Sequence, residues 1–478
     1  MPAAAMAVAL LATACQPFFE GGATLTATPL GPLVQLSWTA AVEDDEGQFV
    51  DHYGIEVDGV EVDITDSAAT SCVLTGVESS TPYTISVTAY GGNGEWSGTY
   101  GGNLASMARV STEYVMPASG DAGSTMSCVP TTDTDGDRLP DAVETDTGVF
   151  DSAAATGTDP ADGDTDNDSL SDGDEVLGTT TGLDLPALGT SGVRKDLLLE
   201  ADWFDDSLDC GSHSHRPTAA QETRFSNAFE GAPVPNPDGS TGINVVFDYG
   251  QGGALTGGNQ ISDADGVLLA GVNSSEFVAI KNANFASNRN GYFHYILMPH
   301  RYNATSSSSG QAELNGDDLI VSLQCALSTN NVANTIMHEL GHNIGLRHGG
   351  NSNTNYKPNY NSVMNYRYQF PGVDTGCDVA GDGVLDFSTG ARITLLESSL
   401  IEANGVCGAG TIALDWNGNA VLDLSPVSAD VNFDGLLSTL TDWNDWATLN
   451  FSGVSEADGA SPFTEPEIVT EQPVPPGF

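Results

Sequence analysis

The chain has 478 residues, 13 Lys and Arg against 65 Asp and Glu, and a formal net charge of -52. With 40% hydrophobic residues it has material for two to four cores, at roughly 100–200 residues per domain, and wholesale disorder is excluded. The scarcity of bases excludes nucleic-acid binding and polybasic docking on anionic lipid. The acids divide into 43 Asp and 22 Glu. Short Ca²⁺ loops require such a bias, because Asp reaches an ion from a tight turn.

Residues 1–21 read as an export segment or lipoprotein tether. Ala3 to Ala14 is apolar but too short to span a bilayer, and has the character of a secretory signal. It ends in Leu11-Ala12-Thr13-Ala14-Cys15, which suits an ordinary signal peptidase and also resembles a bacterial lipobox. Cleavage precedes Cys15 on both readings, and the second places a lipid on Cys15. Six further cysteines (Cys72, Cys128, Cys210, Cys325, Cys377 and Cys407) permit three disulfides, with Cys377–Cys407 the local pairing. No CxxC zinc pattern occurs.

Residues 22–112 alternate apolar and polar positions in short strands, among them Leu33–Trp38, Tyr53–Gly59 and Thr84–Tyr90. The arrangement of Trp38, Tyr53, Leu74 and Tyr83 resembles a fibronectin type III domain, an all-β immunoglobulin-like sandwich. The resemblance makes Trp38 a core residue and Tyr83 the corner tyrosine. A ligand-binding sandwich is the functional alternative.

Residues 113–190 have the composition of an acidic linker, but their spacing is regular. Asp133, Asp135, Asp137, Asp141 and Glu144 are followed at the same intervals by Asp164, Asp166, Asp168, Asp172 and Glu175. Alternate carboxylates with a late Glu can build the oxygen shell of a hard cation. Both segments resemble thrombospondin type 3 calcium repeats, which implies a linker stiffened by Ca²⁺. A solvated acidic linker is the alternative.

Residues 191–452 change to a mixed α/β texture. Lys195–Trp203, Ile243–Asp248 and Gly291–Met298 read as strands, and 218–230 and 330–346 as helices. The second helix carries His338-Glu339-Leu-Gly-His342, whose histidines, four apart, share one helix face and can hold one metal. Gly345 permits a sharp exit that returns His348 as a third ligand. The complete HExxHxxGxxH pattern resembles the metzincin zinc metalloproteases, near their pappalysin-like group. The resemblance implies Zn²⁺ on His338, His342 and His348, with Glu339 as general base and then acid for a metal-activated water. It makes Met364 the structural Met-turn, and Tyr366 a zinc ligand or oxyanion stabiliser.

His213-Ser214-His215 is read as structural, on the view that the two rings face opposite sides of an extended strand. Cys210 is read as a disulfide partner rather than a latency thiolate. Asp430, Asn432 and Asp434 match the first half of an EF-hand-type loop, but Thr441 stands at position twelve and Asp442 one step later. Asp415, Asn417, Asn419 and Asp423 form a similar incomplete series; Asx turns are the alternative for both. Residues 453–478 read as a flexible tail.

The expected fold class is multidomain: a sandwich, a calcium-bound Asp-rich linker and an α/β metzincin-type catalytic domain. The expected function is that of an exported bacterial zinc endopeptidase, extracellular or at the cell surface. Its partners are protein or peptide substrates, with membrane attachment only through Cys15. The competing readings are an adhesion or matrix-binding protein with an inactive protease scaffold, and a hydrolase of a non-peptide substrate.

Overall fold

The computed structural model describes residues 17, 19–42, 50–91, 109–117, 120–121, 124–262 and 265–452, and the backbone of 467–470. Cys15 and nearly all of the expected export segment lie outside the described residues. The chain divides into two compact units, Met1–Thr165 with Asp172–Thr179, and Asp166–Ser171 with Thr180–Phe478.

The first unit holds β1 (Leu25–Leu30), β2 (Leu33–Trp38), β3 (Val50–Val57), β4 (Val60–Asp66), β5 (Ser71–Leu74), β6 (Pro82–Gly91), β7 (Arg109–Val115), β8 (Cys128–Val129) and the short helix α1 (Asp172–Leu177). Two four-stranded sheets, β1-β2-β5-β8 and β4-β3-β6-β7, bury their inward residues in one core. Trp38 packs edge-on against Tyr53, with ring centroids 5.6 Å apart. Tyr83 hydroxyl accepts the Glu78 amide at 2.9 Å, tying the chain back a few residues upstream as a tyrosine corner does. The sandwich passes the expected boundary at 112, because β7 runs to Val115 and Cys128 is bonded to Cys72. The acidic segment is not a free linker. Leu139, Val143, Val176 and Leu177 bury against Leu33 and Val73 of the sandwich.

The second unit holds α2 (Leu185–Leu188), β9 (Asp196–Asp206), β10 (His213–Ser214), α3 (Ala219–Glu230), β11 (Asn244–Asp248), β12 (Gln260–Ile261), α4 (Ser275–Asn284), β13 (Phe293–Met298), β14 (Gly310–Leu314), β15 (Asp318–Val321), α5 (Thr329–Asn343), β16 (Leu395–Leu396), β17 (Thr439–Leu440) and β18 (Glu467–Thr470). β9 is the axis of the main sheet. It pairs in parallel with β11 and β12 and with β13, which leads in parallel to β15 and then to antiparallel β14. Leu197, Leu199 and Ala201 face a core shared with α3 and α5, and Leu198 faces the core under α4. Burial on both faces explains why Leu197, Leu198 and Leu199 follow one another in β9 without a polar break. Within the expected flexible tail, Glu467–Thr470 pairs antiparallel with β14. Disulfides Cys210–Cys325 and Cys377–Cys407 lie in this unit. No helix among the described residues is long and apolar enough to cross a membrane.

Candidate active site and metal centres

α5 starts where the Ser328 hydroxyl accepts the Asn331 amide at 3.1 Å, an N-cap. It ends at Asn343, and Gly345, with a φ of 96°, turns the chain away from the helix. The His342 carbonyl closes this end by accepting the amides of Gly345 and Asn315, each at 3.0 Å. His338, His342 and His348 are thereby gathered so that one ligand atom from each lies within 4.8 Å of the others. His338 Nδ1 faces the Val363 carbonyl at 2.6 Å, and His342 Nδ1 the Leu346 carbonyl at 2.7 Å. A carbonyl only accepts, so each Nδ1 carries the proton and each Nε2 keeps a lone pair for a cation.

Glu339 is fully buried one residue from His338. Its carboxylate sits against Gly310, at the start of β14, where any Cβ would overlap it. Gly341, inside the motif, leaves the room that Met364 Sδ fills. The fully buried Met364 thus lies under the helix turn between the two histidines, as a Met-turn requires. Tyr366 leans on His348 with ring centroids 4.3 Å apart and on His338 at 5.9 Å, and Asn355 fixes its backbone amide at 3.0 Å. The buried Lys357, its pKa pushed down to about 8 by burial, ties this loop by donating to the Gly349 and Thr441 carbonyls, each at 2.8 Å.

Residues 273–384 match the gametolysin peptidase M11 family model. That stretch contains the three histidines, Glu339, Met364 and Tyr366, and the match supports a protease domain acting on proteins or peptides. The matched family is gametolysin rather than the pappalysin-like group that the sequence suggested. Residues 27–100 match the fibronectin type III domain model. No curated protein matches the chain. One solved structure, the Clostridium perfringens spore cortex lytic enzyme SleM, aligns at 23% identity over 20% of this chain and 26% of that one. Its TM-score of 0.14 is too low to carry an argument.

Two of the carboxylate groups that the acidic repeats form lie in the first unit. One joins Asp133, Asp135 and Asp137, the other Asp137, Glu144 and Asp172. Asp172 therefore meets the first repeat, an arrangement that equal spacing along the chain does not reveal. Asp135 Oδ2, Asp137 Oδ2 and Glu144 Oε2 are buried and accept no hydrogen bond. Burial first, then neighbouring carboxylates, pushes Glu144 up to about 8. Asp137 rises to about 6 and Asp172 to about 7, again chiefly by burial. Acids held this way lack a counter-charge, which a divalent cation would supply. Asp141 is engaged with Thr134, accepting from its amide and hydroxyl at 2.7 Å each. In the second unit, buried Asp166 and Asp168 lie together, and Asp168 accepts the amides of Leu170 and Asp196. Asp164 lies close enough to Asp172 to raise its pKa, and Glu175 is buried in α1.

The C-terminal loops are closed from within. Asp430 accepts the amides of Asp434 and Gly435, and Asn432 donates to Asp434 at 3.0 Å. Buried Glu397 braces this loop from outside by accepting the amides of Val431 and Ser438. Glu402 does the same for Trp416 and Asp423. Asp442 is spent on Ser388 and Arg392.

The premise that the His213 and His215 rings face opposite sides fails. The residues are two apart, so in an extended chain they share a face, and their ring centroids are 4.8 Å apart. Both turn to Asp206, and His300 joins them. Sequence reasoning did not single out Asp206, His300, Gly310, Glu397 or Glu402. Only the hairpin pairing of His213 with Asp206 had a local signal, in the short β9–β10 connection.

Proposed function

We propose that the chain is an exported zinc-dependent endopeptidase with calcium-binding acidic loops. The observation that carries this is the convergence of three imidazoles, two of them fixed as Nε2 acceptors, beside a buried glutamate inside the M11-matching stretch. The donor set fits Zn²⁺, which takes neutral imidazole readily and leaves a position open when three protein ligands hold it. When bound, the ion would supply Lewis acidity and lower the pKa of water toward about 7. Glu339 takes the proton of the attacking water and returns it to the departing amine. The Tyr366 hydroxyl donates to the carbonyl oxygen as it gains negative charge. Met364 and Gly341 hold the histidines at fixed height, and the Val363 and Leu346 carbonyls hold their tautomers. Ca²⁺ on the Asp133–Asp137 and Asp137–Glu144–Asp172 groups would discharge buried carboxylates in the first unit.

The test is Glu339→Gln, which keeps the histidines and removes the base. It should retain zinc by mass spectrometry while casein cleavage falls by a factor of about 10³ or more. Cleavage at the wild-type rate, or cleavage by wild type that persists after zinc chelation, refutes the assignment.

A further inference from the structure

Six of the eight histidines of the chain stand in two groups, and only one of these belongs to the site above. The second is built at the C-terminal ends of two adjacent parallel strands. Asp206 is the last residue of β9, and His300 lies two beyond the end of β13, which pairs with β9. A hairpin brings β10 back antiparallel, with His213 opposite Asp206 and the His215 amide bonded to the Phe204 carbonyl at 3.0 Å. The disulfide Cys210–Cys325 anchors this hairpin. Its sulfurs are spent on each other, so they do not compete as ligands.

Two tautomers in this group follow from their outer partners. His213 Nδ1 faces the Gly211 carbonyl at 2.7 Å, so it carries the proton and Nε2 points inward as a lone pair. His300 Nε2 faces the Asp209 carboxylate at 3.1 Å, and Arg301 holds that carboxylate from the other side. His300 Nδ1 is then the inward lone pair. The two inward nitrogens stand 3.3 Å apart, with Asp206 Oδ1 at 3.5 Å from the first and 3.4 Å from the second. Three acceptors thus face one another, two of them with their own protons already directed outward. Either an extra proton or a cation must lie among them.

The spacing favours the cation. Two ligands on a tetrahedral ion at about 2.0–2.1 Å stand about 3.3–3.4 Å apart, which is the separation found here. His215 joins the set from a buried position, with one ligand atom from each of the four residues within 4.8 Å of the others; its Nε2 donates to the other oxygen of Asp206 at 2.8 Å, a proton that a bound cation would displace. His300 is also fully buried, and the Asp206 side chain nearly so. The Asp209 and Gly211 contacts are the outer-shell support that metal-binding imidazoles use. Four ligands from protein alone describe a closed, structural site rather than a catalytic one.

We propose that Asp206, His213, His215 and His300 bind a second divalent transition cation of the zinc class, which pins the β9–β10 hairpin to the end of β13. The test uses the full chain, stripped with chelator, reloaded with Zn²⁺ and passed through a desalting column before elemental analysis. Wild type should retain two equivalents of zinc, and His213→Asn and His300→Gln one each with casein cleavage preserved. His348→Asn should also retain one equivalent, but without cleavage. Reloading with Co²⁺ should give a tetrahedral visible spectrum in His348→Asn that is lost on adding His213→Asn. Two equivalents in His213→Asn overturn the proposal, as does a single wild-type equivalent that disappears in His348→Asn. A single equivalent that disappears in His213→Asn and survives in His348→Asn upholds this site and refutes the zinc assignment of the other. If a variant is not recovered folded, the wild-type stoichiometry and the cobalt spectrum of His348→Asn decide.

Discussion

Gly310 shapes the candidate active site by lacking a side chain. A Cβ at this position would overlap the Glu339 carboxylate and approach the Ile320 carbonyl to 2.6 Å. The carbonyl belongs to the sheet and cannot yield, so the glutamate must move. Gly310→Ala should therefore cost about 1–3 kcal/mol of stability and lower kcat/KM by about 100-fold or more, since a displacement of about 1 Å is enough for that loss. Casein cleavage beside a melting curve checks both, and wild-type activity would show that Glu339 does not act from this position. Asp445 gives a pH signature. It is fully buried, accepts the Tyr360 hydroxyl at 2.9 Å and the Ser388 amide at 3.0 Å, and burial raises it from 3.8 to about 7. A raised acid contributes stability that is whole below the unfolded value near 4 and is lost as pH rises through about 7. Three pKa units at about 1.4 kcal/mol each set a ceiling of about 4 kcal/mol. Asp445→Asn cannot ionise, so between pH 4 and 7 its melting temperature should fall less steeply than that of wild type. Parallel curves would count against this.

At the scale of elements, one loop recurs five times. Asp133, Asp374, Asp415 and Asp430 each accept the amide of the residue five ahead, at 3.1, 2.9, 2.6 and 2.8 Å. That residue has positive φ in all four, at Arg138, Val379, Ala420 and Gly435, and also at Ser169 after Asp164. Two loops share a further clasp with the Asp164 loop: a Thr after the first Asp donates to a later Asp, as Thr134 to Asp141, Thr165 to Asp172 and Thr375 to Asp382. What differs is the counter-charge. The guanidinium of Arg392 reaches Asp374 at 2.9 Å, whereas Asp135, Asp137 and Glu144 bury carboxylate oxygens that accept no hydrogen bond. Asp137→Asn should thus weaken Ca²⁺ binding by about tenfold or more in calorimetry, and Asp374→Asn should leave the calcium stoichiometry unchanged. Equal effects would remove the distinction. Four of the five loops, all but that of Asp374, were legible because their carboxylates are close in sequence, as was the exit from α5 at Gly345. Contacts across long separations were not. Nothing local announces that Asp172 meets Asp137, that Glu397 braces the loop after Asp430, or that His300 returns to Asp206.

For the whole molecule, the charge of -52 is sharpened by where the few bases go. Lys281 is spent on Asp317 and Asp318, and Lys357 on backbone carbonyls. Arg109, Arg138, Arg289, Arg301 and Arg392 each pair with a carboxylate, and Arg216 and Arg224 donate to carbonyls. That accounts for nine of the 13 bases in built contacts, so the remaining acidic surface has almost no cations to answer it. Calcium on the loops would neutralise only the carboxylates gathered there. The rest repel across the surface, and self-repulsion of this kind destabilises a compact state. Mobile ions shorten its reach, from about 10 Å at 0.1 M to about 3 Å at 1 M salt. The melting temperature should therefore climb by several degrees between those concentrations of NaCl at fixed Ca²⁺ and pH. KCl should give the same rise, because screening depends on ionic strength and not on which monovalent cation supplies it. A flat response would mean that the surface acids are spaced too widely to interact. A rise in only one salt would point to specific ion binding instead of screening.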